Sequence, residues 1–189
     1  IGPAVASFLL ISAAAHVILS LPGVFPWYRR NLERQRNDAR WIEYSVSASV
    51  MIVLIAMLTG IGDIAALVAL FGVNASMIFF GLVQEHRERP GEGRLLPFWL
   101  GCIAGAVPWI TIGIYIVSPG VAATPPAFVY GIFVSLFAFF NVFALNMWLQ
   151  YRRVGPWRNY LFGESVYILL SLSAKSALAW QVFFPTLMD

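Results

Sequence analysis

The sequence predicts an all-α fold, a polytopic bundle of transmembrane helices that forms a single domain over residues 1–189. Of the 189 residues, 60% are hydrophobic and 11% are charged, whereas soluble domains carry about 25% charged residues. The mean hydropathy is +0.77. Apolar stretches of about 20 residues, the length that a helix needs to cross roughly 30 Å of hydrocarbon, recur along the whole chain. This composition excludes a water-soluble fold.

The first three predicted spans cover residues 1–21, 41–58 and 64–83. The first holds one histidine, His16, and no charged residue, while the second holds a single charged residue, Glu43. The third holds none. Each stretch is therefore long and apolar enough to form a membrane-spanning helix.

The last three predicted spans cover residues 97–117, 125–151 and 160–184. The fourth and fifth spans contain no charged residue, and the sixth contains Glu164 and Lys175. The position of Glu164 at the start of its span favours a carboxylate stabilised by the helix dipole over a member of a proton relay.

The loops between the spans alternate in charge, and this alternation predicts the orientation of the chain. All eleven arginines fall in residues 22–40, 84–96 and 152–159, while residues 59–63 and 118–124 contain neither lysine nor arginine. By the positive-inside rule, the arginine-rich loops face the cytoplasm and the carboxyl terminus faces outward. The formal net charge of +3 is explained by this topology and does not imply a nucleic-acid partner.

The chain begins at Ile1 inside an apolar segment and without an initiator methionine. We therefore expect it to be a fragment that lacks the start of the protein. A signal peptide is disfavoured because no basic region precedes the first apolar run. The single cysteine, Cys102, excludes an internal disulfide.

Lys175 is the only lysine in the chain, and it lies near the middle of the last predicted span. A charged side chain at that depth costs about 2.5 to 3.5 kcal/mol on insertion scales. An ionisable residue that is kept inside the membrane therefore indicates a function. The alternative is a structural lysine that reaches the interface or is buried in its neutral form.

Glu43 is the predicted anionic partner of a protonated Lys175. The outer end of its span is about 15 residues away, or ~22 Å, while Lys175 is about 9 residues, or ~14 Å, from the outer end of its own span. A lysine stem of roughly 6 Å that leans toward the helix N-terminus brings the two charged groups to the same depth. Alternatively, Glu43 pairs at the interface with Arg40, one turn earlier, and both pairings can hold at once.

Two further residues are candidates for a polar network around Lys175. His16 is flanked by small residues that let another helix come close, and it is either a hydrogen-bonded structural residue or a proton acceptor. Ser171 lies one turn before Lys175 on the same helix face. Its hydroxyl group either faces Lys175 or bonds to a carbonyl of its own helix.

Other candidates for a binding pocket are mid-span residues that share a helix face with Glu43 or carry suitable polar or aromatic side chains. Ordinary helix packing explains them equally well, and a lipid-facing stripe is the leading alternative for the phenylalanines. These candidates are Tyr44, Ser47, Met51, Asn74, Trp109, Phe137 and Phe140.

Four segments carry a specific family resemblance. RWIEYSVSASVMIVLIA, FGVNASMIFFG, LLPFWLGCIAGAVPW and LSLSAKSALAWQ closely resemble heliorhodopsins, a family of microbial retinal-binding rhodopsins with inverted membrane topology. The resemblance runs through all six spans. The cytoplasmic amino terminus of that family agrees with the orientation deduced independently from the arginines.

The resemblance implies a rhodopsin-like seven-helix fold, of which this chain holds six helices and lacks the first. It implies that all-trans retinal is bound to Lys175 as a protonated Schiff base with Glu43 as its counterion, and that His16 and Ser171 belong to the surrounding network. It further implies a photoreceptor in the cell membrane, in which isomerisation to 13-cis drives a conformational signal. A homodimer and an unidentified signalling partner are expected on the same ground.

Two other functions remain open at this point. A light-driven or passive proton or ion transporter can use the pair of Lys175 and Glu43 as a relay, although the sequence offers no string of carboxylates from Glu43 to the outer surface. A structural or regulatory membrane subunit needs no chromophore at all. A conventional enzyme and a metal site are not expected.

Overall fold

The computed structural model of the chain describes residues 2–117 and 124–187. Within these ranges the protein is entirely helical, which confirms the predicted all-α class. Six of its seven α-helices are long and apolar enough to cross a membrane. The helices are α1 (Gly2–Ser20), α2 (Phe25–Glu33), α3 (Asp38–Leu58), α4 (Ile64–Arg87), α5 (Leu96–Val117), α6 (Ala127–Tyr151) and α7 (Tyr160–Phe183), with short 3₁₀ helices at Gly155–Arg158 and Phe184–Leu187.

The helix α3 is the central helix of the bundle. Half of its membrane-spanning window, 50%, is buried inside the protein, against 11% for α1. Its apolar side chains Ile52 and Ile55 are fully buried and pack into one core with Ile112 of α5 and Leu178 of α7. Side chains of α3 therefore meet several other helices at once, a position suited to a shared site.

A close approach between α3 and α4 depends on a glycine. The indole ring of Trp41 occupies the space into which a Cβ atom at Gly81 would project. Only glycine lets the two helices pack with this ring between them, and any larger residue would displace the ring. The pairing fixes Trp41 against α4.

The amino-terminal end of α3 corrects the predicted boundary. Residues up to Arg40 were assigned to a loop because of their charge, but α3 begins at Asp38, and the side chain of Asn37 caps it by accepting a hydrogen bond from the backbone N–H of Arg40. Asparagine is among the preferred N-cap residues because its side-chain oxygen satisfies a free amide of the first turn. Arg40 is therefore a buried helical residue.

Two other features of the arginine-rich end also differ from the sequence prediction. The predicted third span stops at residue 83, whereas α4 continues to Arg87 and includes the buried residues Gln84 and Glu85. Their polarity suggested a loop, but both side chains have hydrogen-bond partners inside the protein. The short helix α2, which lies between α1 and α3, was not predicted.

Candidate functional site

The side chain of Lys175 ends at a junction of three helices. Its Nζ atom on α7 donates hydrogen bonds to Oε1 of Glu43 on α3 at 2.9 Å, to Oγ of Ser171 on α7 at 2.9 Å and to Oγ of Ser12 on α1. An ammonium group has three N–H donors, so these contacts satisfy all of them. Lys175 is 5% exposed and Glu43 is 8% exposed. The arrangement fits a charged nitrogen held away from water.

Ser12, which is not among the predicted site residues, joins the two charged groups. Its hydroxyl group donates to Oε1 of Glu43 at 2.6 Å and accepts the hydrogen bond from Lys175. The only available sequence signal was its spacing, because Ser12 lies four residues before His16 and thus on the same face of α1. Ser12, Glu43 and Lys175 form a closed three-membered network.

Glu43 pairs with Lys175 in the structure. The sequence left open a second pairing with Arg40, but the guanidinium group of Arg40 contacts other carboxylates. Both partners of the ion pair are buried, and a buried carboxylate without a cation would carry a large desolvation cost. Each of the two buried charges is therefore stabilised by the other.

The ring of Tyr44 forms one wall of this junction. Its centroid lies 5.2 Å from Nζ of Lys175, a distance at which the aromatic face attracts a cation. The hydroxyl group of Tyr44 donates to the backbone carbonyl of Tyr167 at 3.0 Å. The tyrosine therefore links α3 to α7 beside the charged pair.

A cavity of about 310 Å³ lies beside Lys175 and is lined by residues of α3 to α7. This volume is within the usual range of roughly 300 to 1,000 Å³ for sites that hold a small molecule. The lining is mainly apolar and aromatic. Among the predicted site residues, those that line it are Lys175, Ser171, Tyr44, Ser47, Met51, Trp109, Phe137 and Phe140.

A cluster of aromatic rings forms the wall between α5 and α6. The ring of Trp109 meets those of Phe133, Phe137 and Phe140 edge to face, with centroids 5.6, 5.4 and 5.3 Å apart. Such edge-to-face contacts stabilise a fixed arrangement of rings. Trp109 is buried while Phe137 is 44% exposed, so this wall extends from the core to the surface of the bundle.

Two buried hydroxyl groups on the cavity wall have no hydrogen-bond partner within the described part of the chain. These are the Oγ atom of Ser47, on a fully buried residue, and the hydroxyl group of Tyr167. Buried polar groups are normally satisfied by protein or by ordered water. The two hydroxyls are therefore positions at which the cavity can hold water or the polar part of a ligand.

Three predicted site residues are not part of the cavity wall: Glu43, which contacts Lys175 directly, Asn74 and His16. The side-chain amide of Asn74 donates to Oγ of Ser49 at 3.0 Å and so links α4 to α3. Nδ1 of His16 lies 2.8 Å from the carbonyl oxygen of Ser12, one turn back on α1, and its side chain faces the outside of the bundle. His16 is thus next to the network around Lys175 without touching the charged pair.

A second buried cluster of charges joins three helices near the arginine-rich loops. Nη2 of Arg40 on α3 donates to Oε1 of Glu85 on α4 at 2.7 Å, and Nη1 lies 3.0 Å from Oε1 of Glu164 on α7. The guanidinium carbon lies 3.8 Å from the ring centroid of Tyr167 and 4.3 Å from that of Trp41. Arg40 is therefore held by two carboxylates and two aromatic rings.

This second cluster corrects two sequence-based inferences. The sequence predicts only Glu43 as a carboxylate paired inside the bundle, but Glu85 of α4 and Glu164 of α7 are also buried, at 6% and 5% exposure. Glu164 was interpreted first as a helix-start residue, whereas its carboxylate contacts both Arg40 and the side-chain amide of Asn37. Buried carboxylates that pair across helices cannot be distinguished from loop carboxylates by hydropathy alone.

The site as a whole fits a long, apolar, conjugated aldehyde. A primary amine on the cavity wall can form an imine with an aldehyde, the adjacent carboxylate can balance the positive charge of a protonated imine, and the aromatic walls suit a polyene. Retinal has this chemistry, so the residues present fit the group that the sequence resemblance implies. The unpartnered hydroxyls do not conflict with it, because ordered water can satisfy them.

Comparison with known proteins is consistent with this chemistry. The family model described as Heliorhodopsin matches residues 1–187 of the chain. No curated protein matches it.

Proposed function

The chain belongs to the heliorhodopsin family, and we propose that it is a light sensor in which all-trans retinal is bound to Lys175 as a protonated Schiff base. Family membership implies a multi-pass membrane protein that binds retinal. The observation that carries the finer proposal is the hydrogen bond of 2.9 Å between Lys175 and Glu43 on the wall of an aromatic cavity.

Lys175 supplies the nitrogen of the linkage. Its amine would hold retinal covalently as a protonated imine. Lys175 is the only lysine in the sequence, so no other side-chain amine of the chain can form this bond. Its burial beside the cavity places the nitrogen where an apolar aldehyde binds.

Glu43 is the proposed counterion. A positive charge in an apolar site is unstable unless an anion lies close to it, and among the described residues the carboxylate of Glu43 contacts Lys175. A protonated imine has one N–H, which would donate to Glu43; Ser12 donates to the same carboxylate, and Ser171 lies beside the nitrogen. We assign His16 to the outer part of the same network because it follows Ser12 by one turn.

Retinal, when bound, supplies absorption of visible light and isomerisation from all-trans to 13-cis. The chain converts this change into movement because residues of five helices, α3 to α7, line its cavity. Tyr44 bonds α3 to the backbone of α7 beside Lys175, and Tyr167 contacts Arg40 in the second charged cluster. A shift of α7 at Lys175 therefore reaches the arginine-rich ends of α3 and α4. We propose that this movement is a signal and that the chain is not an enzyme.

A light-driven or passive transporter is the alternative function. A proton relay needs ionisable groups on both sides of the central pair. In the described parts of the six spans, no Asp or Glu lies between the level of Glu43 and the ends opposite the arginine-rich loops, whereas Glu85 and Glu164 lie on the other side. This one-sided distribution favours sensing over transport.

The orientation and assembly belong to the same proposal. The exposed arginines cluster at one end of the bundle, which we assign to the cytoplasm, so the carboxyl terminus faces outward. The proposed assembly is a homodimer in the cell membrane that acts on a signalling partner yet to be identified.

An absorption spectrum of the purified protein with all-trans retinal tests the central proposal. A band in the visible region that hydroxylamine bleaches demonstrates a retinal imine. Proteoliposomes that contain a pH-sensitive dye then separate the two functions, because a sensor produces no sustained pH change under light. A protein that stays colourless with retinal would overturn the proposal.

A further inference from the structure

The short helix α2 lies where the chain leaves the membrane. It has nine residues, Phe25–Glu33, and starts five residues after the end of α1 at Ser20. At 1.5 Å per residue it is about 14 Å long, too short to cross the bilayer. The chain re-enters the membrane with α3 at Asp38, so α2 is confined to the membrane surface at the arginine-rich end of the bundle.

One face of α2 packs against the protein. Tyr28, Asn31 and Leu32 are half-buried, and their spacing of three and four residues places them on one side of the helix. Burial, and then the negative charge of Glu164, raises the pKa of the Tyr28 phenol. This side of the helix therefore faces the protein.

Large apolar side chains flank that packed face and remain uncovered. Phe25 is 50% exposed and Trp27 is 41% exposed. Phe25 lies three residues before Tyr28 and seven before Leu32, at the edge of the packed side, whereas Trp27 lies about 100° away from Tyr28 around the helix. Exposed aromatic rings at the boundary of a membrane are typical of the headgroup region, where the ring is partly apolar and partly hydrated.

The outward side of α2 carries positive charge that the protein does not neutralise. Arg29 pairs with Glu33 at 2.9 Å. Arg30 and Arg34, by contrast, are exposed, and their side chains form no hydrogen bond or ion pair with the described residues. A cationic face next to aromatic side chains is the pattern of helices that lie on anionic membranes.

Other tryptophans mark the same level of the bundle. Trp99 at the start of α5 is 54% exposed, and Trp148 near the end of α6 and Trp157 in the following 3₁₀ helix are half-buried. All three lie next to the arginine-rich loops. They are typical of the headgroup region, and α2 belongs to the same end of the bundle.

We propose that α2 is an interfacial helix that binds anionic phospholipid headgroups, with Phe25 and Trp27 inserted between the lipids and Arg30 and Arg34 on their phosphates. Charge complementarity selects this occupant, since a polybasic segment beside a membrane span is attracted to an acidic leaflet. The proposal does not depend on retinal binding.

The test measures the depth of a probe next to α2 in membranes of different charge. Gly23 is exposed and no atom lies within 4 Å of a Cβ built there, so a spin label on Gly23→Cys is tolerated. The native cysteine is first removed with Cys102→Ala. The full chain is placed in nanodiscs of phosphatidylcholine, with or without phosphatidylglycerol, and the accessibility of the label to oxygen and to a water-soluble nickel complex is measured.

Phosphatidylglycerol is expected to lower the access of the nickel complex and raise that of oxygen, and high salt is expected to reverse the change. Arg30→Gln with Arg34→Gln should abolish this dependence on lipid charge. Arg89→Gln with Arg94→Gln is the matched control, because it removes the same charge from a loop at the same end and should leave the dependence intact.

Trp27→Ser is expected to reduce the depth of the label in both membranes, since it removes apolar contact without changing charge. The proposal would be overturned if the label on the parent protein were equally accessible to the nickel complex in both membranes. It would also be overturned if the parent protein behaved like the Arg30→Gln, Arg34→Gln variant. That result would leave a soluble protein as the partner for this face. Equal responses from the two pairs of arginine variants would also overturn it, because the effect would then come from overall charge.

Discussion

Nζ of Lys175 lies 2.9 Å from Oε1 of Glu43, across the contact between α7 and α3. Ser12 of α1 bonds to both groups, so the two charges and a neutral hydroxyl form one unit that is buried among three helices. Removal of the amine, removal of the carboxylate and removal of the hydroxyl group each change a different property of this unit. Each change therefore has its own measurable result.

The substitution Lys175→Arg should abolish the visible chromophore. Arginine keeps the positive charge beside Glu43, so insertion of the protein into the membrane is expected to be unchanged, but a guanidinium group does not form the retinal imine. The measurement is the absorption spectrum of the purified variant after addition of retinal. Ser171→Ala is the control, since it removes only one hydrogen bond to Lys175 and should leave a visible band. Colour in the arginine variant would refute the assignment of Lys175.

The substitution Arg40→Gln should strongly destabilise the bundle. It leaves the buried carboxylates of Glu85 and Glu164 without their cation, and breaking a buried ion pair in this way costs about 3 to 5 kcal/mol. The expected result is a clear fall in the midpoint of thermal denaturation in detergent. Arg87→Gln, at an exposed position, should change the stability by no more than about 0.5 kcal/mol.

A second variant distinguishes the effect of unpaired charge from the effect of lost packing. Adding Glu85→Gln to Arg40→Gln removes one of the two unpaired carboxylates and should restore part of the lost stability. A double variant as unstable as Arg40→Gln alone would show that lost packing against Tyr167 and Trp41, rather than unpaired charge, causes the effect.

The substitution Ser12→Ala should change the chromophore more than His16→Ala does. Ser12 contacts both charged groups, whereas His16 contacts only the carbonyl of Ser12. A hydrogen bond to a charged group contributes roughly 1.5 to 3 kcal/mol. The measurement is the pH at which half of the visible band is lost in each variant. A larger change for His16→Ala would place the histidine in direct contact with the charged pair and would contradict the geometry.

The orientation of the chain is tested with labels that cannot cross the membrane. A tag placed after Asp189 should be labelled in intact cells, and a cysteine introduced at Arg34 should react only after the cells are opened. The physical reason is the retention of arginine-rich loops on the cytoplasmic side. A protected carboxyl-terminal tag together with a labelled position 34 would reverse the proposed topology.

Much of the fold follows from hydropathy because the membrane imposes a length on each apolar segment. Hydropathy does not predict the arginine-rich ends of the helices correctly. Arg40 and Glu85 are polar and were assigned to loops, but they satisfy each other inside the bundle, so their helices continue through them. Pairing between distant residues carries no signal in a single sequence.

The residues of the site likewise fall into those that could be predicted from the sequence and those that could not. The approach of Lys175 to Glu43 could be predicted because depth in the membrane is proportional to the number of residues from the end of a span. The contact of Ser12 with the two charged groups could not be predicted in this way. The number of residues from the end of a span gives the depth of Ser12 in the membrane, but it does not show which side of α1 faces α3 and α7. The positions of Asn74 and His16 outside the cavity wall have the same cause.

The substitution Glu43→Gln tests the counterion. Glutamine has nearly the same volume but no charge, so the variant removes the anion that holds the proton on the linkage. The pH at which half of the protonated, visible form is lost should therefore fall, by an amount that can reach several pH units for a close buried pair. Each pH unit corresponds to about 1.4 kcal/mol. Where the protonated form persists, its band should move to longer wavelength, because less negative charge stabilises the positive end of the chromophore in its ground state.

The measurement is a spectral titration of the parent and the Glu43→Gln protein, in chloride and in a poorly binding anion. Chloride is expected to recover part of the protonated form, since an exogenous anion can replace the missing carboxylate. Glu85→Gln is the matched control, because it removes the same charge from a carboxylate that contacts Arg40 and not Lys175, and it should leave the band almost unchanged. An unchanged band and titration in Glu43→Gln would show that another group neutralises Lys175, and the contact of 2.9 Å would then be structural.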